Sequence, residues 1–375
     1  MDFDAVDNAT EEAVQQGVFP GAVLLVGRGE EVIYERAFGS RSLVPDQSPM
    51  QLSTIFDVAS LTKPLATTLA MMLLVSDKTL HLDDQVTRFV PTFGVCAKSP
   101  TTIRHLLSHS SGLPAWKPYY EEVGTVENSG RANFISSRAA KSYVLEQIHR
   151  EKPLSQPGTQ VLYSDLGFMV LGEIIENITG SNLDAFCHDR IYEPLGLRST
   201  MFVELTELPT AQPEAPENIF APTEICPWRK RVLCGQVHDD NAFAVGGIAG
   251  HAGLFSSARD IHAIVAGLDR CLRGSHSFLP QSVVQEFFTR DRSISDSTRA
   301  LGWDTPTPDK SASGSRFSQK SVGHLGFTGT SLWWDLEKDC HVILLSNRVH
   351  PTRHNEKIKQ FRPRIHDLIM QVINP

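Results

Sequence analysis

The stretch Phe56-Asp57-Val58-Ala59-Ser60-Leu61-Thr62-Lys63-Pro64, which runs on as an apolar segment to Val75, decides how this chain is read. Over residues 61–75 the leucines, alanines and methionines recur at helical spacing, and Pro64 falls in the first turn, where its missing N–H is tolerated. Ser60 therefore stands at a helix N-terminus. Lys63 shares its face across that first turn, so the lysine reaches the hydroxyl while the helix end favours a developing oxyanion. A serine so placed is a candidate nucleophile with a nitrogen base beside it. The spacing is common, and taken alone it is better explained by an N-capping serine next to a solvated lysine.

Outward from this segment, residues 21–26 and 31–38 are two β-rich runs joined by Gly27-Arg28-Gly29-Glu30, a hairpin pattern, and residues 1–17 form an amphipathic first helix. On the other side, residues 82–198 are mostly helical in pattern, with breaks at Pro91, Ser111-Gly112-Leu113-Pro114, Pro157-Gly158 and Gly180. Residues 206–227 lack periodicity and read as an extended loop crossing back toward the first part of the chain. A glycine-dense run, Val245 to Gly253, precedes a helix starting near Ser257. Residues 322–327, 332–335 and 341–345 read as three strands, followed by a helix over residues 356–373. The fold class expected is α/β of the α+β kind: an antiparallel sheet of five or more strands flanked by helices. Residues 1–81 and 245–375 together build it, and residues 82–244 form a mainly helical insert with a long loop.

With 375 residues, 41% hydrophobic and 21% charged, the chain has ample core for an enzyme of about two compact units. No segment approaches the ~20 apolar residues of a membrane span, so no membrane partner is expected. A formal net charge of -8 argues against nucleic acid and against polyanionic substrates. The N-terminus lacks a secretory pattern, which as given points to the cytoplasm; a chain trimmed of a leader would be periplasmic or secreted. Six scattered cysteines are expected to be reduced thiols, and the closest two, Cys226 and Cys234, do not have zinc-site spacing.

Two further segments carry chemistry. Tyr163-Ser164-Asp165 opens an apolar helical run over residues 166–178. A tyrosine beside a lysine ionises more readily, and next to Ser60 it would take the hydroxyl proton and return it to the leaving group. A core tyrosine followed by a helix-capping Asp165 is the plain alternative. His324-Leu325-Gly326-Phe327-Thr328-Gly329-Thr330 lies on a strand and its turn, where small residues let a substrate lie along the edge. The backbone N–H groups of Ser60 and Phe327 would then supply an oxyanion hole.

In order and spacing, these three segments resemble Ser-x-x-Lys, Tyr-x-Asn and Lys-Thr-Gly of the serine β-lactamases and penicillin-binding proteins. The tyrosine makes them similar to the branch holding class C β-lactamases, D-alanyl-D-alanine carboxypeptidases and related esterases. Thr102 to Pro114 and Ile191-Tyr192-Glu193-Pro194-Leu195-Gly196-Leu197 resemble the connecting segments of that family. The resemblance implies a site in the cleft between sheet and helical insert, with Ser60, Lys63 and Tyr163 catalytic and no cofactor or metal. It also places Asp165, His324 and Gly326 against substrate. Cys226 to Arg229 and Val237 through His251 are similar to a subgroup that includes an N-acetylmuramyl-L-alanine amidase.

Three departures shape the expected specificity. Asp165 stands where the motif has asparagine, so a side-chain amide donor is lost. His324 and Leu325 replace Lys and Thr, removing the fixed cation and hydroxyl that hold a β-lactam carboxylate, so efficient β-lactamase activity is not expected. Arg348, after the last strand, is the candidate replacement for that charge; a solvated arginine is its alternative. His238, Asp239 and His251 are read as cleft residues or a metal site against satisfied histidines in glycine-rich loops, and His105 and His109 as structural despite their i, i+4 spacing. Lys63 is expected to have its pKa lowered by desolvation.

The reaction expected is acyl transfer through a Ser60 acyl-enzyme, first on a muropeptide amide, next on a carboxylic ester. The partner is then a small-molecule or peptide substrate. From another class, an inactive member of the fold that binds a cell-wall fragment or a protein is the rival, and the joint presence of Ser60, Lys63 and Tyr163 speaks against it.

Overall fold

A computed structural model describes residues 1–206, 219–275, 278–295 and 297–374, so most of the expected loop, residues 207–218, lies outside the described residues. The chain opens with α1 (Asp4–Gln15), then β1 (Gly21–Arg28), β2 (Glu31–Ser42), the two-residue β3 (Ser48–Pro49) and β4 (Phe56–Asp57), and reaches α2 (Leu69–Ser76). The middle carries α3 (Ile103–Leu107), α4 (Tyr119–Asn128), α5 (Arg138–Arg150), α6 (Asp165–Thr179), α7 (Leu183–Cys187) and β5 (Met201–Phe202). After it come β6 (Ile225–Cys226), β7 (Arg231–Val232), α8 (Asp240–Ala244), β8 (Leu254–Ser256), α9 (Ala258–Leu272) and α10 (Gln281–Phe288). The chain closes with β9 (Ser321–Leu325), β10 (Ser331–Asp335), β11 (Cys340–Ser346) and α11 (Ile358–Ile373).

Six strands form one antiparallel sheet in the order β3-β2-β1-β11-β10-β9, so both chain ends meet at its centre, where Leu24 lies opposite Leu344. β1 explains the pairing. Its side chains alternate between faces, yet nearly all are buried, because each face is covered. Val23 and Leu25 point into a core shared with Leu65, Leu69 and Ile261, while Ala22, Leu24 and Val26 pack with Val6, Phe361 and Ile369 of α1 and α11. A one-residue slip would exchange these two sets, and at about 2 kcal/mol per fully buried leucine the register is firmly fixed.

Several expectations change. The single helix expected over residues 61–75 is three joined pieces: a 3-10 turn at Ala59–Leu61, a π-helical stretch at Lys63–Thr68, then α2. Pro64 has no N–H to give the ladder, which suits an irregular first turn. This continuous helical run, Ala59–Ser76, also corrects the reading that no segment is apolar and long enough for a membrane span; its mean hydropathy is 1.3 over 18 residues. It is the central core helix, 83% buried inside the protein. The middle segment is less helical than its pattern suggested: from Asp77 to Pro118 only α3 and two 3-10 turns are regular. Of the crossing loop, the described part returns as expected, with Phe220 bridging Ile55 and the Ile225 amide donating to the Pro351 carbonyl at 2.9 Å.

Candidate functional site

β4 delivers the chain to Ser60 through an unusual residue. Ala59 has φ of +48°, a left-handed conformation that costs a non-glycine residue about 1–3 kcal/mol and needs support. Its amide donates to Asp57 Oδ1 at 2.8 Å, and the other oxygen of this buried carboxylate accepts the His238 amide at 2.6 Å. The turn after β9 locks onto the same backbone: Thr328 and Thr330 hydroxyls donate to the carbonyls of Asp57 at 2.7 Å and Val58 at 3.0 Å. Gly326 makes this approach possible, since a Cβ there would sit 2.5 Å from the Val58 oxygen. Ser60 and the half-exposed Phe327 consequently border one pocket of about 300 Å³. The Phe327 amide makes no hydrogen bond among the described residues.

Lys63 is fully buried and sits at the centre of the polar contacts. Its Nζ donates to Ser60 Oγ at 3.1 Å and to the His251 carbonyl at 3.1 Å, and forms an ion pair with Asp165 Oδ1 at 2.7 Å. The Tyr163 side chain lies beside them, with the Lys63 ammonium 4.8 Å from its ring centre, and borders the same pocket as Ser60. Burial pulls against the charged lysine, but the Asp165 carboxylate and Tyr163 outweigh it, so the Lys63 pKa lies above its ordinary value. The expectation of a lowered lysine pKa is thus reversed, because the aspartate that replaces the motif's asparagine supplies a counter-charge. For Tyr163, burial pushes the phenol pKa up, opposed by Lys63 and reinforced by Asp165. A second cation, Arg299, stands 5.3 Å from the ring and is paired with Asp304.

The other sequence candidates divide. Asp165 lines the pocket and begins α6, but the cap is Ser164, whose Oγ accepts the Gly167 amide at 3.2 Å. His238, Asp239 and His251 also line the pocket. His238 stacks on Phe327 at 5.6 Å, and His251 Nε2 meets Asp239 Oδ1 at 3.0 Å while its Nδ1 has no partner. Their donor atoms do not gather into a metal cage; among the described residues the only such cluster is the exposed His188, Asp189 and Glu193. His109 is not on a helix with His105: α3 ends at Leu107, and His109, at φ +57°, accepts the Ser164 amide and packs on Tyr163 at 4.5 Å.

His324 and Arg348 do not reach the pocket. His324 is 2% exposed, and burial next to Lys63 and Arg299 holds its pKa well below the ordinary histidine value, so it is a neutral ring packed 5.9 Å from Tyr163. Arg348 is spent on backbone: its guanidinium donates to the carbonyls of Phe327, Arg353 and Asn355 at 2.5 to 3.0 Å and lies 4.5 Å from the Phe327 ring. Arg348 therefore does not supply the replacement charge assigned to it. Arg353, Asp240 and Trp116 line the pocket and were missed by sequence reasoning. Arg353 is held by Glu224 at 2.7 Å and Asp240 at 3.2 Å, and no motif signals it; the 46%-exposed Trp116 next to Pro114-Ala115 was the readable hint.

Known proteins similar to this chain identify its family. The Beta-lactamase family model matches residues 6–363. A protein of Escherichia coli K12, provisionally named a D-alanyl-D-alanine carboxypeptidase, is 33% identical over 372 residues, covering 93% of this chain and 82% of its own. Among solved structures, EstCE1, a hydrolase with promiscuous acyltransferase activity, superposes with TM-score 0.75 at 22% identity, covering 97% of each chain. The octameric penicillin-binding protein homologue from Pyrococcus abyssi gives TM-score 0.72 at 22% identity, covering 99% of this chain and 78% of that one. These two structures share the fold.

Proposed function

This chain belongs to the beta-lactamase family of serine hydrolases, and from that premise we propose that Ser60 forms an acyl-enzyme on a small peptide-type amide, with a muropeptide as the natural class. The observation that carries the reading is the convergence of Ser60 and Lys63, hydrogen-bonded at 3.1 Å, with the Tyr163 ring 4.8 Å from the ammonium at the edge of one pocket. Ser60 Oγ attacks the carbonyl carbon while Tyr163, as phenolate, takes its proton; the Lys63 ammonium stabilises that phenolate. Developing charge on the carbonyl oxygen is met by the Ser60 and Phe327 amides. Tyr163 then returns the proton to the leaving nitrogen, and water, deprotonated by the same phenolate, releases the acyl group and frees Ser60.

A carboxylic ester is the second reading, favoured by Asp165: the motif's amide donor is absent, so the pocket has one group fewer for recognising an acylamide. Intact-protein mass after fluorophosphonate treatment tests the nucleophile. A single adduct on the wild type and none on Ser60→Ala is expected, and no adduct on either would return the chain to the binding-protein reading. Turnover of N-acetylmuramyl-L-alanyl-D-isoglutamine against p-nitrophenyl butyrate separates amide from ester.

A further inference from the structure

The cations around the pocket are all engaged, and one of its carboxylates, Asp239, has neither a lysine nor an arginine as partner. Lys63 is paired with Asp165, Arg348 with three backbone carbonyls, and Arg353 with both Glu224 and Asp240. Asp240 holds Arg229 as well, at 2.8 Å. His324 is buried and neutral. Asp239 differs from every other acidic group lining the pocket because its contacts include neither lysine nor arginine; it receives only His251 Nε2 at 3.0 Å and the Ala242 amide at 2.8 Å. Its side chain is 26% exposed, into the pocket that holds Ser60. Burial works against its charge, but His251 and the amide keep its pKa well below the usual carboxylate range, so it is an anion at neutral pH.

A second feature of the same pocket points to an occupant. The imidazole of His251 is 1% exposed and lines the cavity with Nδ1 lacking any partner, and the half-exposed Trp116 and Phe327 form apolar walls at its rim. Aromatic faces beside an anion are a favourable setting for an ammonium group.

We propose that Asp239 makes this an ammonium-selecting hydrolase, whose substrate carries a free protonated amine close to the scissile carbonyl rather than a free carboxylate. The inference rests on the acyl-enzyme reading and narrows its substrate class. A carboxylate in this pocket would meet Asp165, Asp239 and Asp240 with no lysine or arginine free to receive it, whereas an amine would pair with Asp239 beside its His251 contact without displacing a lysine or arginine.

Three anilides that differ only in charge at the amine test this: D-alanine p-nitroanilide, its N-acetyl form and its N-succinyl form, assayed at pH 7 with p-nitrophenyl butyrate as a neutral control. In the wild type kcat/KM is expected to fall in the order ammonium, neutral, carboxylate, with about tenfold or more between first and last. Asp239→Asn, which retains the helix-capping oxygen, is expected to lower the ratio of kcat/KM for the ammonium substrate to that for the N-acetyl form about tenfold. A carboxylate substrate turned over as well as the ammonium one, or an unchanged preference in Asp239→Asn, would overturn the inference. Loss of butyrate turnover and of the fluorophosphonate adduct in the wild type would instead remove the acyl-enzyme reading, and the ammonium inference with it.

Discussion

Lys63 and Arg348 are two buried cations that reach the same corner of the molecule from opposite ends of the chain. Lys63 makes one backbone contact and turns its two remaining N–H groups to Ser60 and Asp165, beside the Tyr163 ring. Arg348 spends its hydrogen bonds on carbonyls of the turns after β9 and β11. Burial and positive charge are common to both, so neither marks a functional group. The difference lies in the partners: side chains that change protonation surround the lysine, and fixed dipoles saturate the arginine. One cation is placed to take part in proton transfer, and the other holds the Phe327 turn in position for it.

The sharpest way to break this contrast is to remove each charge in turn. Lys63→Met is expected to lower kcat/KM for p-nitrophenyl butyrate by about 10²- to 10⁴-fold, since a group in the proton-transfer network is lost. A change of less than about tenfold would place the chemistry elsewhere. Arg348→Met should act on the fold: three partly buried carbonyls lose their donors, which costs about 3 kcal/mol in urea unfolding. The ratio of turnover between carboxylate-bearing and neutral substrates should stay as in the wild type, and a shift in that ratio would bring Arg348 back into the site.

The smallest effect sharpens the role of Asp165. Because burial raises the Tyr163 pKa above the ordinary phenol value, the phenolate fraction grows with pH, and kcat/KM is expected to keep rising from pH 7 to pH 9. Asp165 raises the pKa of both Tyr163 and Lys63. Asp165→Asn removes that negative charge, so both values fall and the whole kcat/KM profile should move to lower pH. A pH–rate profile of the two proteins checks this; an unmoved or alkaline-shifted profile would show that Asp165 does not set the charge of the pair.

Legibility of the site followed the range of the interactions. Ser60 and Lys63 lie three residues apart, Tyr163 stands just before the Ser164 cap of an apolar helix, and such relations are written in local sequence. The strands were equally readable, because alternation and turn residues act over a few positions; the expected segments at 322–327, 332–335 and 341–345 became β9, β10 and β11 with shifts of one or two residues at their ends. Arg353 was not readable. Its place depends on Glu224 and Asp240, more than a hundred residues away in sequence, meeting it beside the pocket.

By itself, the sequence determined the family and an antiparallel sheet built from both chain ends, and it singled out Ser60, Lys63 and Tyr163 as candidates, since periodicity, capping and motif spacing are properties of neighbouring residues. Only the tertiary structure decided how charge is distributed around Ser60: that Asp165 faces Lys63, that Arg348 turns into backbone, and that Asp239 stays without a lysine or arginine. Electrostatic balance is a sum over distances, and distances between residues far apart in the chain exist only once it has folded.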